Sequence, residues 1–171
     1  MKLAILLMAG LAGMAADTGP AQRQPGLWET IATVTSADMP GASAAMQEQF
    51  RARVGQPQPS RECLTAAETS DPLGQLRRVL AEGNSGDCSF TDQLFADGII
   101  RIRGSCSQAT GATVRISVEG TFTETTVQGR LTLTAHMPEN SAVPDLNMVT
   151  ESRSRRIGDC DAGAAQDGDS R

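Results

Sequence analysis

Residues 99–120, IIRIRGSCSQATGATVRISVEG, decide the fold of this chain. Apolar residues alternate with arginine, serine or glutamate on both sides of a turn centred on Thr110. Such a period of two is typical of β-strands with one buried and one solvated face. The turn sets Ile102 opposite Val118 and, on the other face, Arg101 opposite Glu119. An antiparallel hairpin is therefore predicted.

Four cysteines extend this ladder in both directions. If Ala96-Asp97-Gly98 turns a preceding hairpin centred on Asp97, Cys88 lies directly opposite Cys106. Opposed Cβ atoms are then close enough for a disulfide. Cys63 pairs with Cys160, and the even number of cysteines suits two bridges in an exported domain.

Other stretches complete a mainly β pattern. Residues 27–36 are predicted to form the first strand, and residues 131–137 and 149–157 the last two, with Gln128-Gly129 as the turn before the first of these. The fold expected is an antiparallel meander of about seven or eight strands, curled into a barrel or half-barrel. One or two short helices are inserted after the first strand.

Helical patterns occupy the insertion. Apolar residues recur every fourth position from Ala42 to Val54, with Ser43 as N-cap and Gly55 as the stop. Residues 56–59 are expected to be a linker, and residues 65–68 have the spacing of a capping box. A second helix is predicted from Pro72 to Ala81, with Asp71 as its N-cap.

The first sixteen residues have the composition of a secretory signal. Lys2 precedes an apolar run from Leu3 to Leu11, and small residues follow, with cleavage near Ala15 or Ala16. We therefore expect a periplasmic or secreted protein with no transmembrane segment after processing. Residues 17–160 form one domain, and residues 161–171 are expected to be a disordered tail.

Composition excludes several classes of function. The net charge of −5 becomes more negative once Lys2 is removed, so nucleic acid is not an expected partner. Lys2 is the only lysine, which leaves no Schiff-base chemistry. Zinc-like spacings, nucleophile elbows and phosphate loops are missing from the sequence, so no cofactor, metal or catalytic residue is predicted. His136 is expected on the polar side of its strand.

Short motifs in a fixed order resemble a known family. They are PGLWE at residues 25–29, CLT at residues 63–65, the pair Cys88 and Cys106, and RRIGDC at residues 155–160. In this order they are similar to the exported bacterial proteins that carry domain of unknown function 3617. The resemblance implies a periplasmic or secreted β-rich domain and no particular activity.

Two groups of residues are candidates for a ligand or partner surface. Trp28 either plugs one end of the barrel or lines a ligand mouth, and the helix residues Met46 and Phe50 are core or a lid. The cluster Arg153, Arg155 and Arg156 either binds an anionic group or pairs with acids on neighbouring strands.

The sequence thus favours a non-enzymatic binding or envelope-accessory module. Its ligand would be an apolar or amphipathic small molecule, or a protein partner. The sequence favours no particular oligomeric state. One alternative is an exported hydrolase that uses carboxylates such as Glu29, Glu119 and Glu124. Another is a structural or inhibitory module that acts through an exposed strand edge.

Overall fold

A computed structural model describes residues 22–74, 76, 86–139 and 141–160. The expected signal, the tail from residue 161 and most of the second predicted helix lie outside these residues. The elements, in chain order, are β1 (Gly26–Asp38), α1 (Ala44–Arg51), β2 (Pro57–Leu64), α2 (Ala66–Ser70), β3 (Asp87–Ala96), β4 (Ile99–Ser107), β5 (Thr113–Phe122), β6 (Thr126–His136) and β7 (Leu146–Gly158).

All seven strands form one antiparallel sheet in the order β2-β1-β7-β6-β5-β4-β3. The prediction of a mainly β antiparallel meander is confirmed. The barrel is not, because β2 and β3 remain the two edges of an open sheet.

The open sheet is curled. The guanidinium carbon of Arg23 lies 6.0 Å from the ring centroid of Trp28 on β1 and 5.6 Å from that of Phe95 on β3. β7, β6, β5 and β4 all lie between these strands. In a flat sheet, five steps of about 4.8 Å would separate them by roughly 24 Å. The face that carries Trp28 and Phe95 is therefore concave.

The predicted register of β4 and β5 is confirmed. Ile102 lies opposite Val118, and Arg101 lies opposite Glu119. The ion pair of Glu119 is nevertheless made diagonally, with Arg103 at 3.2 Å. Cross-strand neighbours on one face include such diagonals, and long arginine side chains reach them.

Cys88 lies opposite Cys106, and both predicted disulfides are confirmed. The hairpin that leads to the first bridge differs from the expectation. Its turn is the two-residue Asp97-Gly98, in which both residues have positive φ, as a type I′ turn requires. That shorter turn shifts the register by one residue, and a bulge between Phe90 and Asp92 shifts it back.

Two other sequence predictions were wrong. Residues 56–59 are not a linker, since β2 starts at Pro57; an edge strand tolerates proline because one row of its N–H groups has no partner strand. Gln128 and Gly129 lie inside β6. The turn instead follows Phe122, where the Thr123 hydroxyl accepts hydrogen bonds from the N–H groups of Thr125 and Thr126.

The three predicted helix caps of the insertion are present. Ser43 accepts a hydrogen bond from the N–H of Met46, and Thr65 and Glu68 form a capping box at α2. Asp71 accepts a hydrogen bond from the N–H of Gly74 at 2.9 Å, as an N-cap does. Residues 72–74 and 76 are helical, and the remainder of the predicted helix lies outside the described residues.

One buried cluster of the core lies toward one end of the concave face. Ile100, Ile102 and Phe122 form this cluster, and Leu73 and Leu76 pack against it from the inserted segment. Trp28 is 1% exposed. The segment that follows α2 therefore covers the sheet near β3 and β4. The helix α1 instead follows the C-terminal end of β1, away from Trp28 at the start of that strand.

Candidate functional site

A cleft of about 500 Å³ runs along the free edge of β3. We call it the edge cleft. Its walls combine apolar and polar side chains, contributed by the edge strand, by the segment that follows α2 and by the start of the described chain: Gln22, Thr69, Ser70, Asp71, Pro72, Leu73, Gln93, Leu94, Phe95 and Ala96. Small-molecule sites have this size and this mixture of apolar walls with a few polar groups.

Local sequence fixes the inserted wall of the edge cleft. The capping box of Thr65 and Glu68 starts α2, and the N-cap Asp71 starts the next helical turn. Leu73 follows directly and packs on the buried cluster of the sheet. The wall is thus attached to the core by an apolar contact, while Thr69 is 7% exposed within it.

The strand wall of the edge cleft comes from two consecutive apolar residues. Leu94 and Phe95 point to opposite faces of β3, as neighbours in a strand do. Phe95 turns to the concave face and stacks on Phe122, with ring centroids 4.3 Å apart. Leu94 is half-buried on the outer face. The cleft therefore wraps around the strand edge.

Behind Phe95 lies a partly buried cation. The Arg23 guanidinium is held by the rings of Trp28 and Phe95, as described above, and its contacts with both rings are cation–π contacts. Its Nε atom is enclosed and has no hydrogen-bond partner. Burial lowers the pKa of Arg23, and the charge of Glu62 opposes that effect. Arginine nevertheless stays protonated in proteins.

Backbone hydrogen bonds anchor the segment that carries Arg23. The N–H of Gln24 donates to the carbonyl of Glu124 at 2.8 Å, and the indole N–H of Trp28 donates to the carbonyl of Gln24 at 3.1 Å. Arg156 donates from Nε to the carbonyl of Pro25 at 2.8 Å. These hydrogen bonds fix the segment across the end of the sheet, and they thereby fix the position of Arg23.

Gly26 is required for this anchoring. Its φ of +139° is a conformation that other residues rarely adopt. A Cβ atom there would lie 2.5 Å from the carbonyl oxygen of Gly158 and 2.7 Å from Nε of Arg156. The motif PGLWE thus combines a close backbone approach at Gly26 with a buried ring at Trp28.

The structure separates the candidate residues that the sequence singled out. Trp28 is buried near the start of β1 and forms a wall for Arg23, whereas Met46 and Phe50 lie on α1, beyond the end of the same strand. The ten residue steps from Trp28 to Asp38 span roughly 33 Å. Met46 is 42% exposed and α1 contains no buried residue, so the expectation that this helix is core was wrong.

The three candidate arginines also divide. Arg153 and Arg155 lie on the outer face, and Arg156 lies on the concave side, opposite Trp28. Arg155 pairs with Glu29 at 2.7 Å, and Arg156 pairs with Asp159. Arg153 has no ion pair within the described part of the chain. Arg155 therefore follows the interpretation of pairing with an acid on a neighbouring strand, whereas Arg156 pairs with an acid three residues further along the chain.

The carboxylates of the hydrolase alternative are bound to different partners. Glu29 binds Arg61 and Arg155 at 2.9 and 2.7 Å, Glu119 binds Arg103, and Glu124 accepts from the amide of Gln24 at 2.8 Å. Hydrogen bonds from Arg155 and then from Arg61 lower the pKa of Glu29. His136 is exposed and contacts Asp145 at 3.1 Å.

Sequence analysis missed Arg23 and Leu94. Arg23 has no local signal, because its surroundings are created by strands far along the chain. Leu94 could have been found, since Leu94-Phe95 interrupts the alternation of an edge strand with two consecutive apolar residues. Such a pair places one apolar side chain on each face.

Comparison with known families confirms the resemblance that the order of the motifs indicates. Residues 23–160 match the family described as "Protein of unknown function (DUF3617)". The chain belongs to this family. The match starts at Arg23 and ends at Cys160, and thus spans both disulfides and the whole described sheet. No match was found among curated proteins or among solved structures.

Two features of the described residues, 22–74, 76, 86–139 and 141–160, bear on membranes and metals. Among these residues, no helix has the length and apolar character needed to cross a membrane. The same residues contain no group of three or more histidine, cysteine or acidic side chains arranged to hold a metal ion.

Proposed function

We propose that this family member is an exported, non-catalytic binding module, and that it takes an apolar or amphipathic small molecule in the edge cleft. The observation that carries the proposal is the cleft itself, with a volume of about 500 Å³ and walls that include Leu73, Leu94 and Phe95. Apolar walls favour an alkyl or ring system, while Thr69, Ser70 and Asp71 add polar groups to the inserted wall.

Export is supported by the character of the first sixteen residues and by two disulfides. Disulfides persist in oxidising compartments such as the periplasm. Expression of the full chain followed by fractionation and intact mass measurement tests this part. We expect a periplasmic product that begins near residue 16 or 17 and contains no free thiol; a cytoplasmic product of full mass would contradict it.

Binding is tested with 1-decanol as a neutral amphipathic probe, using native mass spectrometry and titration calorimetry. Leu94→Gln should weaken decanol binding roughly tenfold, because it places an amide against the alkyl chain. Ile99→Gln is the matched control, since Ile99 is 43% exposed on the same outer face but does not line the cleft. Equal effects of both variants, or no binding by the wild type, would exclude the cleft as the site.

A further inference from the structure

Arg23 is a cation without the partners that a buried guanidinium usually has. Among the described residues it makes no hydrogen bond and no ion pair within 4.0 Å, and its enclosed Nε is unsatisfied. Buried polar groups are hydrogen-bonded in the great majority of cases, and the exceptions require an explanation.

The groups around Arg23 leave its N–H donors without an acceptor. The rings of Trp28 and Phe95 lie against the guanidinium, with their centroids 6.0 and 5.6 Å from its carbon atom. Cation–π contacts of this kind supply no oxygen or nitrogen acceptor for the N–H groups. Of the three nitrogens only Nε is enclosed without a partner, so the terminal nitrogens are the groups that a ligand can reach.

Glu62 is the acid whose charge acts on Arg23, but it does not neutralise the guanidinium. Glu62, which lies opposite Trp28 on β2, acts on Arg23 through its charge alone and forms no ion pair with it. Glu62 is exposed, and water screens its field. The positive charge therefore remains available on the concave side.

Arg23 adjoins the edge cleft through two residues. Phe95 forms a wall of the cleft and is also one of the rings against Arg23, and Gln22, the residue before Arg23, lines the cleft as well. An amphiphile whose apolar part occupies the cleft can thus bring its polar end to the guanidinium.

We infer that Arg23 recognises the anionic head group of the ligand, so that the ligand is an amphiphile ending in a carboxylate or a phosphate. This inference rests on the proposed function and narrows it. Carboxylates and phosphates match the forked N–H geometry of a guanidinium, and hydrogen bonds between charged partners are about twice as strong as neutral ones.

Three probes with the same alkyl chain test the inference: decanol, decanoate and decyl phosphate. Trp28 is the only tryptophan of the chain and its ring contacts Arg23, so its fluorescence reports on a head group bound there. We expect wild-type protein to prefer decanoate or decyl phosphate over decanol by about 10- to 100-fold. The anion that gains more identifies the class.

Arg23→Met should abolish this preference by weakening the binding of decanoate and decyl phosphate much more than that of decanol, because methionine fills the space between the rings without charge. Arg153→Met, on the outer face, is the matched control and should keep the preference. If Arg23→Met does not fold, Arg23→Lys replaces it and should reduce the preference, since an ammonium lacks the planar fork.

The two proposals fail in different ways. A wild type that binds decanol but shows no anion preference, or a preference that survives in the folded Arg23 variant, overturns the role of Arg23 alone. A wild type that binds none of the three probes overturns the proposed function, and the inference with it.

Discussion

The two halves of the sheet are stabilised by different interactions. In the half formed by β3, β4, β5 and β6, the apolar half, the concave face carries the buried cluster of Ile100, Ile102 and Phe122. In the half formed by β2, β1 and β7, the polar half, the same face carries hydroxyls such as those of Thr30 and Ser154, 2.8 Å apart. The polar half joins the two ends of the domain, whereas the apolar half is a series of local hairpins.

This difference shows where each half obtains its stability. The apolar half buries hydrocarbon, which is non-directional and scales with area. Apart from the buried side chains of Trp28 and Leu64, the polar half depends on directional contacts: the Cys63–Cys160 bridge and the Glu29 ion pairs with Arg61 and Arg155. Each half also contains one disulfide, Cys63–Cys160 in the polar half and Cys88–Cys106 in the apolar half. Variants can therefore test the two halves separately.

The largest effect is expected from the bridge of the polar half. The Cys63–Cys160 bridge spans 97 residues and the Cys88–Cys106 bridge spans 18. Chain entropy assigns about 4.7 kcal/mol to a loop near the first length and about 3 kcal/mol to one near the second. Cys160→Ser should therefore lower the thermal midpoint more than Cys88→Ser does, as differential scanning calorimetry can measure. A larger loss for Cys88→Ser would place the main constraint in the apolar half.

Next in size is removal of a ring from the apolar half. Phe122 is 4% exposed and stacks on Phe95. Phe122→Ala should lower the free energy of unfolding by about 3–5 kcal/mol, because it loses buried area and leaves a cavity. Ser154→Ala in the polar half removes one hydroxyl hydrogen bond and should cost only about 1 kcal/mol. Urea denaturation measures both, and similar losses would remove the distinction between the halves.

A smaller effect is expected at the junction of the halves. Thr65 caps α2 and exchanges hydrogen bonds with Glu68, with its N–H donating to the Glu68 carboxylate at 2.9 Å. Thr65→Ala should cost about 1 kcal/mol, and it should also weaken decanol binding because α2 leads into the wall of the edge cleft. Thr65→Ser, which keeps the cap, is the control. An unchanged affinity in Thr65→Ala would separate the cap from the cleft.

The smallest effect should appear only in acid. The pKa of Glu29 is lowered in the folded protein from its ordinary value of 4.5, mainly by hydrogen bonds from Arg155 and Arg61. Its contribution is complete above that value and is lost as the pH falls through the lowered pKa, because the unfolded chain then binds the proton more readily. Glu29→Gln should therefore flatten the acid side of a plot of midpoint against pH.

Glu48→Gln, an exposed substitution on α1, is the matched control for that plot. It should leave the acid side as steep as in the wild type. A Glu29→Gln profile parallel to the wild type below pH 4.5 would contradict the ion-pair role of Glu29 in the polar half.

The apolar half could be predicted from the sequence because its pairings are local. Alternation around Thr110 fixes one register, and the cysteine pair fixes another. The bulge at Thr91 was beyond such reasoning, since the wrong turn length and the missing bulge cancel at Cys88. The prediction reached the right pairing while two of its steps were incomplete.

The polar half was harder for a physical reason. Its central contact, β1 with β7, joins residues more than a hundred positions apart, as with the 124 positions between Thr30 and Ser154. Pro57 and Pro59 made residues 56–59 resemble a linker, because proline is rare in the interior of a sheet. The candidate site had the same difficulty, because the surroundings of Arg23 arise only when curling brings Phe95 of β3 near Trp28 of β1.

The bulge between Phe90 and Asp92 gives oxidation a role in choosing the alignment of β3. Near Asp97-Gly98 the alignment follows from the turn, but near Cys88 it requires one extra residue on this strand. Before the thiols are joined, the extra residue can occupy more than one position along an edge strand that has only one partner. Closure of the bridge selects the single alignment that brings the sulfurs together, whereas a chain lacking Thr91 would form the same turn and place Cys88 opposite Cys106 in a regular ladder, with no bulge left to position.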